Sequence, residues 1–192
     1  MSERYSPGPE EMGFAEKNES EFDREKEKEH RKEIRKALSK KISESLKNSG
    51  FKKSGNSIWV TEVSNNKLNM LYLQRGQFDH SYYIEAGVCE NPSKEKNFAI
   101  TDCRQRQRIE YIVKESDFTK EQRQSGDPDM RKQMYERVRE VDSFLNFEEP
   151  GVRDKYSGEY FVPSVYMDVA EEKIEAIGDI VKQYVPEWLE NG

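Results

Sequence analysis

Between Gly50 and Val88 the chain alternates apolar and polar residues in three short runs, parted by two polar turns. A period of two residues is the mark of strands that bury one face. In the first run Trp59, Thr61 and Val63 fall on one face, and Ile58, Val60 and Glu62 on the other. The second run sets Leu68, Met70 and Tyr72 against Leu71 and Leu73, and the third sets Tyr82, Ile84, Ala86 and Val88 against Tyr83, Glu85, Gly87 and Cys89. Asn65-Asn66 tolerates the left-handed backbone of a tight hairpin. Gly76 to His80 forms a longer turn. These runs predict an antiparallel meander. Both of its faces are partly apolar, so helices are expected to cover at least one.

The run from Cys103 to Val113, CRQRQRIEYIV, alternates as well. As a strand it sets Arg104, Arg106 and Arg108 side by side. As a helix the same arginines would scatter in steps of roughly 200°. The pattern predicts a fourth strand carrying an arginine row.

Helical spacing flanks the meander. Ile34, Leu38, Ile42 and Leu46 form a stripe at i, i+4 spacing that docks a helix by one face, and Gly50 is a C-terminal cap glycine. Lys114 to Ser125 is polar and reads as a loop. Asp127-Pro128 opens the next helix, a capping carboxylate before a proline at the first helical position, with Met134, Val138, Val141 and Leu145 inward. Glu148 to Tyr160 carries turn signals at Pro150-Gly151 and Ser157-Gly158. Pro163 restricts Phe161 to Tyr166 to a short edge strand. Asp168 and Glu171 read as a capping box for a last helix that buries Ile174, Ile177, Val181 and Tyr184 and ends at Pro186. The fold class is α+β: an N-terminal helix packed on an antiparallel β-meander of about four strands, with two further C-terminal helices.

Composition sets the remaining bounds. Of 192 residues 33% are apolar and 36% charged, so part of the chain is expected to stay solvated. Residues 1–30 hold ten acids and five bases, a net of −5, and read as a disordered or charged extension. Residues 31–192 read as a single α+β domain. No apolar run approaches the ~18 residues of a membrane span, and no signal-peptide core is present, which points to the cytoplasm and away from a membrane. Cys89 and Cys103 lack CxxC spacing and a neighbouring histidine, and are expected to be free, core-buried thiols, although neighbouring strands could bring them face to face.

A family pattern runs through the same segment. Gly50, Phe51, Lys52, Lys53, Gly55 and Asn56 lead into the first strand; Leu73 and Gln74 lie in the second; Gly87 and Val88 close the third; Cys103, Arg106 and Arg108 follow. This order resembles the bacterial family known as domain of unknown function 4304, over roughly Ile34 to Val113. Arg104 stands where that pattern leads one to look for histidine, which weakens a cysteine–histidine site. The resemblance implies an α+β fold and carries no established activity.

Catalytic chemistry has little to stand on. His30 lies in a charge run, and Asp79-His80 are turn neighbours in poor geometry for a dyad. Asp127-Pro-Asp129 lacks the further oxygen ligands of a cation loop, and the glycines form no phosphate loop. No cofactor or metal is expected. Charge says more. Residues 31–53 hold nine bases and two acids, a net of +7, while residues 127–192 hold sixteen acids and eight bases, a net of −8. A basic helix through Lys36 and Lys40, beside the row of Arg104, Arg106 and Arg108, could meet an acidic protein surface or nucleic acid. The same charges could instead be a solvated face answered by the chain's own acids. The acidic extension from Glu16 to Glu29, tethered directly to the basic helix, is expected to cover Lys32, Lys36 and Lys40 loosely.

Three functional readings follow. The first is a non-enzymatic protein-binding module, of the immunity or partner-neutralising kind by fold-level analogy. The second is a nucleic-acid binder with Trp59, Tyr82 or Tyr83 as stacking aromatics. The third is an enzyme of unknown class around Tyr72, Arg75 and Tyr83.

Overall fold

The alternating runs pair in the register that buries their apolar residues. In the computed structural model β1 (Lys52–Lys53), β2 (Ile58–Ser64), β3 (Lys67–Arg75), β4 (Tyr82–Glu90) and β5 (Gln105–Arg108) form one antiparallel sheet in sequence order. The structure describes residues 28–64, 66–76, 81–90, 99–147 and 163–191, with side chains from Ala170 onward in the last stretch. The chain divides into two compact units, Met1–Lys36 and Ala37–Gly192.

Residues directly across a ladder share a face, so the register assigns both surfaces. Trp59, Leu71, Ala86 and Gln107 lie in one row, with Leu73 and Ile84 beside them. This first face is the core. Trp59, Leu71, Ile84 and Ala86 are buried there. Helix α1 (28–45) brings Leu38 and Ile42, and Leu46 follows directly after it; all three are fully buried. It is pinned where the Trp59 indole N–H donates to Ser43 Oγ at 2.9 Å and Lys53 Nζ donates to Ser39 Oγ at 2.6 Å. Gly50 follows with φ at 75°, in the left-handed region that glycine adopts without strain.

Among the described residues four further helices complete the cover: α2 (Ile109–Asp117), α3 (Lys120–Gln124), α4 (Pro128–Leu145) and α5 (Pro163–Asn191). Helices α2, α4 and α5 pack on one another, and α2 and α5 reach β4. Polar bonds fix the group. Tyr184 donates to Asp117 at 2.9 Å, Arg137 Nε donates to Asp117 at 2.8 Å, and the Trp188 indole donates to Glu115 at 3.1 Å. An α+β fold with an N-terminal helix, an antiparallel meander and C-terminal helices is what the pattern led one to expect.

Four details differ. The strand expected over Cys103 to Val113 stops at Arg108, because Ile109, Ile112 and Val113 have the i, i+3, i+4 spacing of a buried helix face. The loop expected over Lys114 to Ser125 holds the end of α2 and all of α3, whose start is a capping box between Thr119 and Gln122. Of the edge strand expected over Phe161 to Tyr166, Phe161 and Val162 lie outside the described residues and the rest is the first turn of α5, where proline's missing N–H costs nothing; Asp168 and Glu171, expected to cap the helix, therefore lie within it. Pro186 does not end that helix. It sits inside α5, and buried Val185 and Leu189 on either side hold the last turns in place.

Among the described residues, the second face of the sheet is covered at one end only. Leu68, Met70 and Cys89 pack there with Ile100 and Cys103, which lie in and after a 3₁₀ turn at Ile100–Asp102. Cys89 and Cys103 are joined as a disulfide, so the expected pair of free thiols is corrected; both are buried, as a core location requires. Gly87 makes room for this segment. A Cβ there would meet Cys103 and Ile100 at 2.9 Å.

Candidate binding face at the β5 end of the sheet

The uncovered end of the second face is built from alternate residues of β3, β4 and β5. The register sets Tyr72, Glu85 and Arg108 in one row, Gln74 and Tyr83 in the next, and Gly87 and Arg106 on the other side. Tyr72, Tyr83 and Glu85 are half-buried, while Gln74, Arg106 and Arg108 are exposed.

The three arginines of the expected row stand in three different settings. Arg104 lies outside β5, and its guanidinium bonds Glu90 at 3.0 Å. Arg108 stacks over the Tyr83 ring at 4.4 Å and approaches Glu110 at 3.9 Å. A guanidinium over a tyrosine face gains from the ring quadrupole while its edge donors stay available. Arg106 faces Gly87 across the ladder and has no acidic partner among the described residues. On one strand face Arg106 and Arg108 stand about 6.8 Å apart.

Glu110 is the residue that sequence reasoning passed over. It is 4% exposed at the start of α2, and its Oε2 has no hydrogen-bond partner among the described residues. Burial pushes its carboxyl above the usual glutamate range, an effect that its own backbone N–H and Arg108 offset in part and Asp142 and Glu85 reinforce. An acid inside the apolar run Ile109-Glu110-Tyr111-Ile112-Val113 was the available signal.

The remaining expected site residues lie elsewhere. Lys40 is exposed on α1, paired with Glu44 at 3.9 Å, and α1 covers the first face of the sheet, opposite Arg106 and Arg108. Basic helix and arginines therefore do not share a surface. Lys36 belongs to the first unit and is exposed. Arg75 pairs across β4 with Tyr82 and so belongs to the face opposite Tyr72 and Tyr83, which divides the suggested catalytic group. Trp59 and Tyr82 are buried at 1% and 3% exposure, out of reach of a base. Asp127 caps α4 by accepting from the Asp129 N–H at 2.9 Å. Asp79, His80 and most of the acidic extension lie outside the described residues. Among the described residues no group of three His, Cys, Asp or Glu side chains is placed to hold a metal, and no helix is long and apolar enough to cross a membrane.

The chain matches a domain of unknown function, DUF4304, over residues 42–190. It belongs to that family. For DUF4304 the match extends the sequence resemblance through α2, α4 and α5, nearly to the end of the chain. No curated protein and no solved structure matches.

Proposed function

We propose that this DUF4304 protein is a non-enzymatic protein-binding module, of the partner-neutralising kind, that takes an acidic protein surface on the β5 end of its sheet. The supporting observation is the pair Arg106 and Arg108 on one exposed strand face, with Arg106 unanswered by any acid across the ladder. A fixed pair of guanidinium groups beside a half-buried tyrosine favours carboxylates, which it can bind in bidentate fashion. Binding of nucleic acid has less support, because two of the three candidate stacking aromatics are buried and the basic helix lies on the other face. A cytoplasmic setting is part of this reading, with burial of both sulfurs limiting access of cellular thiols to the Cys89–Cys103 bond.

The experiment is capture from a lysate of the source cell at two salt concentrations, with the wild type and with Arg104, Arg106 and Arg108 all changed to Gln. An acid-rich protein retained by the wild type at low salt and lost by the triple variant is the expected result. Nuclease-sensitive material on the wild type would favour the nucleic-acid reading. Equal capture by both proteins would reduce the arginines to a solvated face.

A further inference from the structure

Among the described residues, β5 is the last strand of the sheet and pairs with β4 alone. Three of its four residues, Gln105, Arg106 and Arg108, are exposed, and it contains no proline. Among the described residues no main-chain hydrogen bond reaches it from outside the β4 ladder and the helix that follows. Among the described residues its outer side is thus an open row of N–H and C=O groups, ready to template another strand. The opposite edge is a poorer template: β1 has two residues, and Lys53 is tied to Ser39.

The charge on β5 decides what such an edge accepts. A second copy of this chain, paired with matching faces, would set arginine against arginine, and like charges directly across a ladder repel. Charged residues guard natural sheet edges against self-pairing in this way. The same two arginines welcome a strand whose acids fall opposite them. Gln107 is engaged on the first face, where its amide donates to Glu115 at 3.3 Å, so the charge is confined to one side of the edge.

We propose that β5 accepts an extended acidic segment of a partner protein by strand addition, with acids at alternate positions facing Arg106 and Arg108 and small polar residues between them. Main-chain bonds to the edge supply affinity in this mode, and the alternate side chains supply specificity. The inference rests on the binding-module reading above and names how that partner is held.

Two synthetic octapeptides of equal composition test it against the full-length, isotopically labelled protein at low salt. One repeats Thr-Glu, and the other repeats Thr-Thr-Glu-Glu. Strand addition requires the alternating peptide to slow amide exchange at the alternate β5 residues whose N–H groups point away from β4, and to bind roughly three to ten times more tightly than the block peptide. A protein carrying Arg106→Glu and Arg108→Glu should reverse the preference and take an alternating Thr-Lys peptide. Equal binding of both acidic peptides, moving the Tyr83 and Arg106 signals with the β5 amides unprotected, overturns strand addition and leaves the acid-binding face standing. Absence of binding by either peptide also overturns it, and the triple-glutamine capture experiment then decides the broader reading by itself.

Discussion

Arg106 on β5 lies directly across from Gly87 on β4, so the sheet offers that guanidinium no side chain, whereas Arg108 two residues on faces Glu85. One glycine therefore has two consequences. It leaves an arginine without a partner across the ladder, and its bare Cα lets Cys103 and Ile100 sit close against the strand. The bare cation is the basis of the proposed function; the close seating is testable through stability.

Gly87→Ala should destabilise the fold by about 1–3 kcal/mol, since the new methyl would meet the Cys103 sulfur and the end of Ile100 at 2.9 Å. Chemical denaturation of wild type and variant under one set of conditions checks this. A midpoint within error of the wild type would mean that the segment seats loosely.

The Cys89–Cys103 bond closes a loop with a sequence separation of 14. A cross-link over that length contributes about 3 kcal/mol by restricting the unfolded chain. Denaturation with and without a strong thiol reductant should differ by roughly this amount, and Cys103→Ser should match the reduced protein. Alkylation of the unfolded, unreduced protein at two sulfurs would contradict the pairing.

On the helical side, Leu38→Ala should cost ~2–5 kcal/mol, as truncation of a fully buried leucine does. Ser43→Ala should cost ~1–3 kcal/mol by leaving the buried Trp59 indole N–H without its acceptor. Unchanged denaturation midpoints in both variants would remove α1 from the core.

Glu110 supplies a pH test. Burial raises its folded pKa above the unfolded value near 4.3, so the folded state favours the protonated acid. Its contribution is therefore fully present below the unfolded pKa and is lost as pH rises through the folded one. Glu110→Gln stays neutral throughout. Relative to wild type it should gain stability as pH rises from the acidic range to neutrality. A stability difference independent of pH would show that Glu110 titrates like an exposed glutamate.

These sites differ in how far the sequence announced them. The meander was legible because Trp59, Leu71 and Ala86 each stand in a strict two-residue period that only one register satisfies. The junction at Arg108–Ile109 was not, because the period changes from 2 to 3.6 there with no glycine or proline to mark it. Thr119 and Gln122 did carry a helix start inside a stretch read as loop, and polarity hid it. Pro186 misled in the opposite direction: packing of Val185 and Leu189 outweighs the local penalty of proline. The cysteine pairing joins β4 to the residue after the 3₁₀ turn, and the isolation of Arg106 comes from Gly87 across the ladder. Neither is expressed in any short window of sequence.

Two double variants, compared in capture of the same identified acid-rich partner, test the central claim most directly: Arg106→Gln with Arg108→Gln on β5, and Lys36→Gln with Lys40→Gln on the basic helix. Both pairs remove two positive charges, so they alter net charge equally and differ only in place. The account requires the β5 pair to lose the partner at low salt while the helix pair keeps it, with circular dichroism unchanged in each. Retention by the β5 variant, or loss confined to the helix variant, would contradict it.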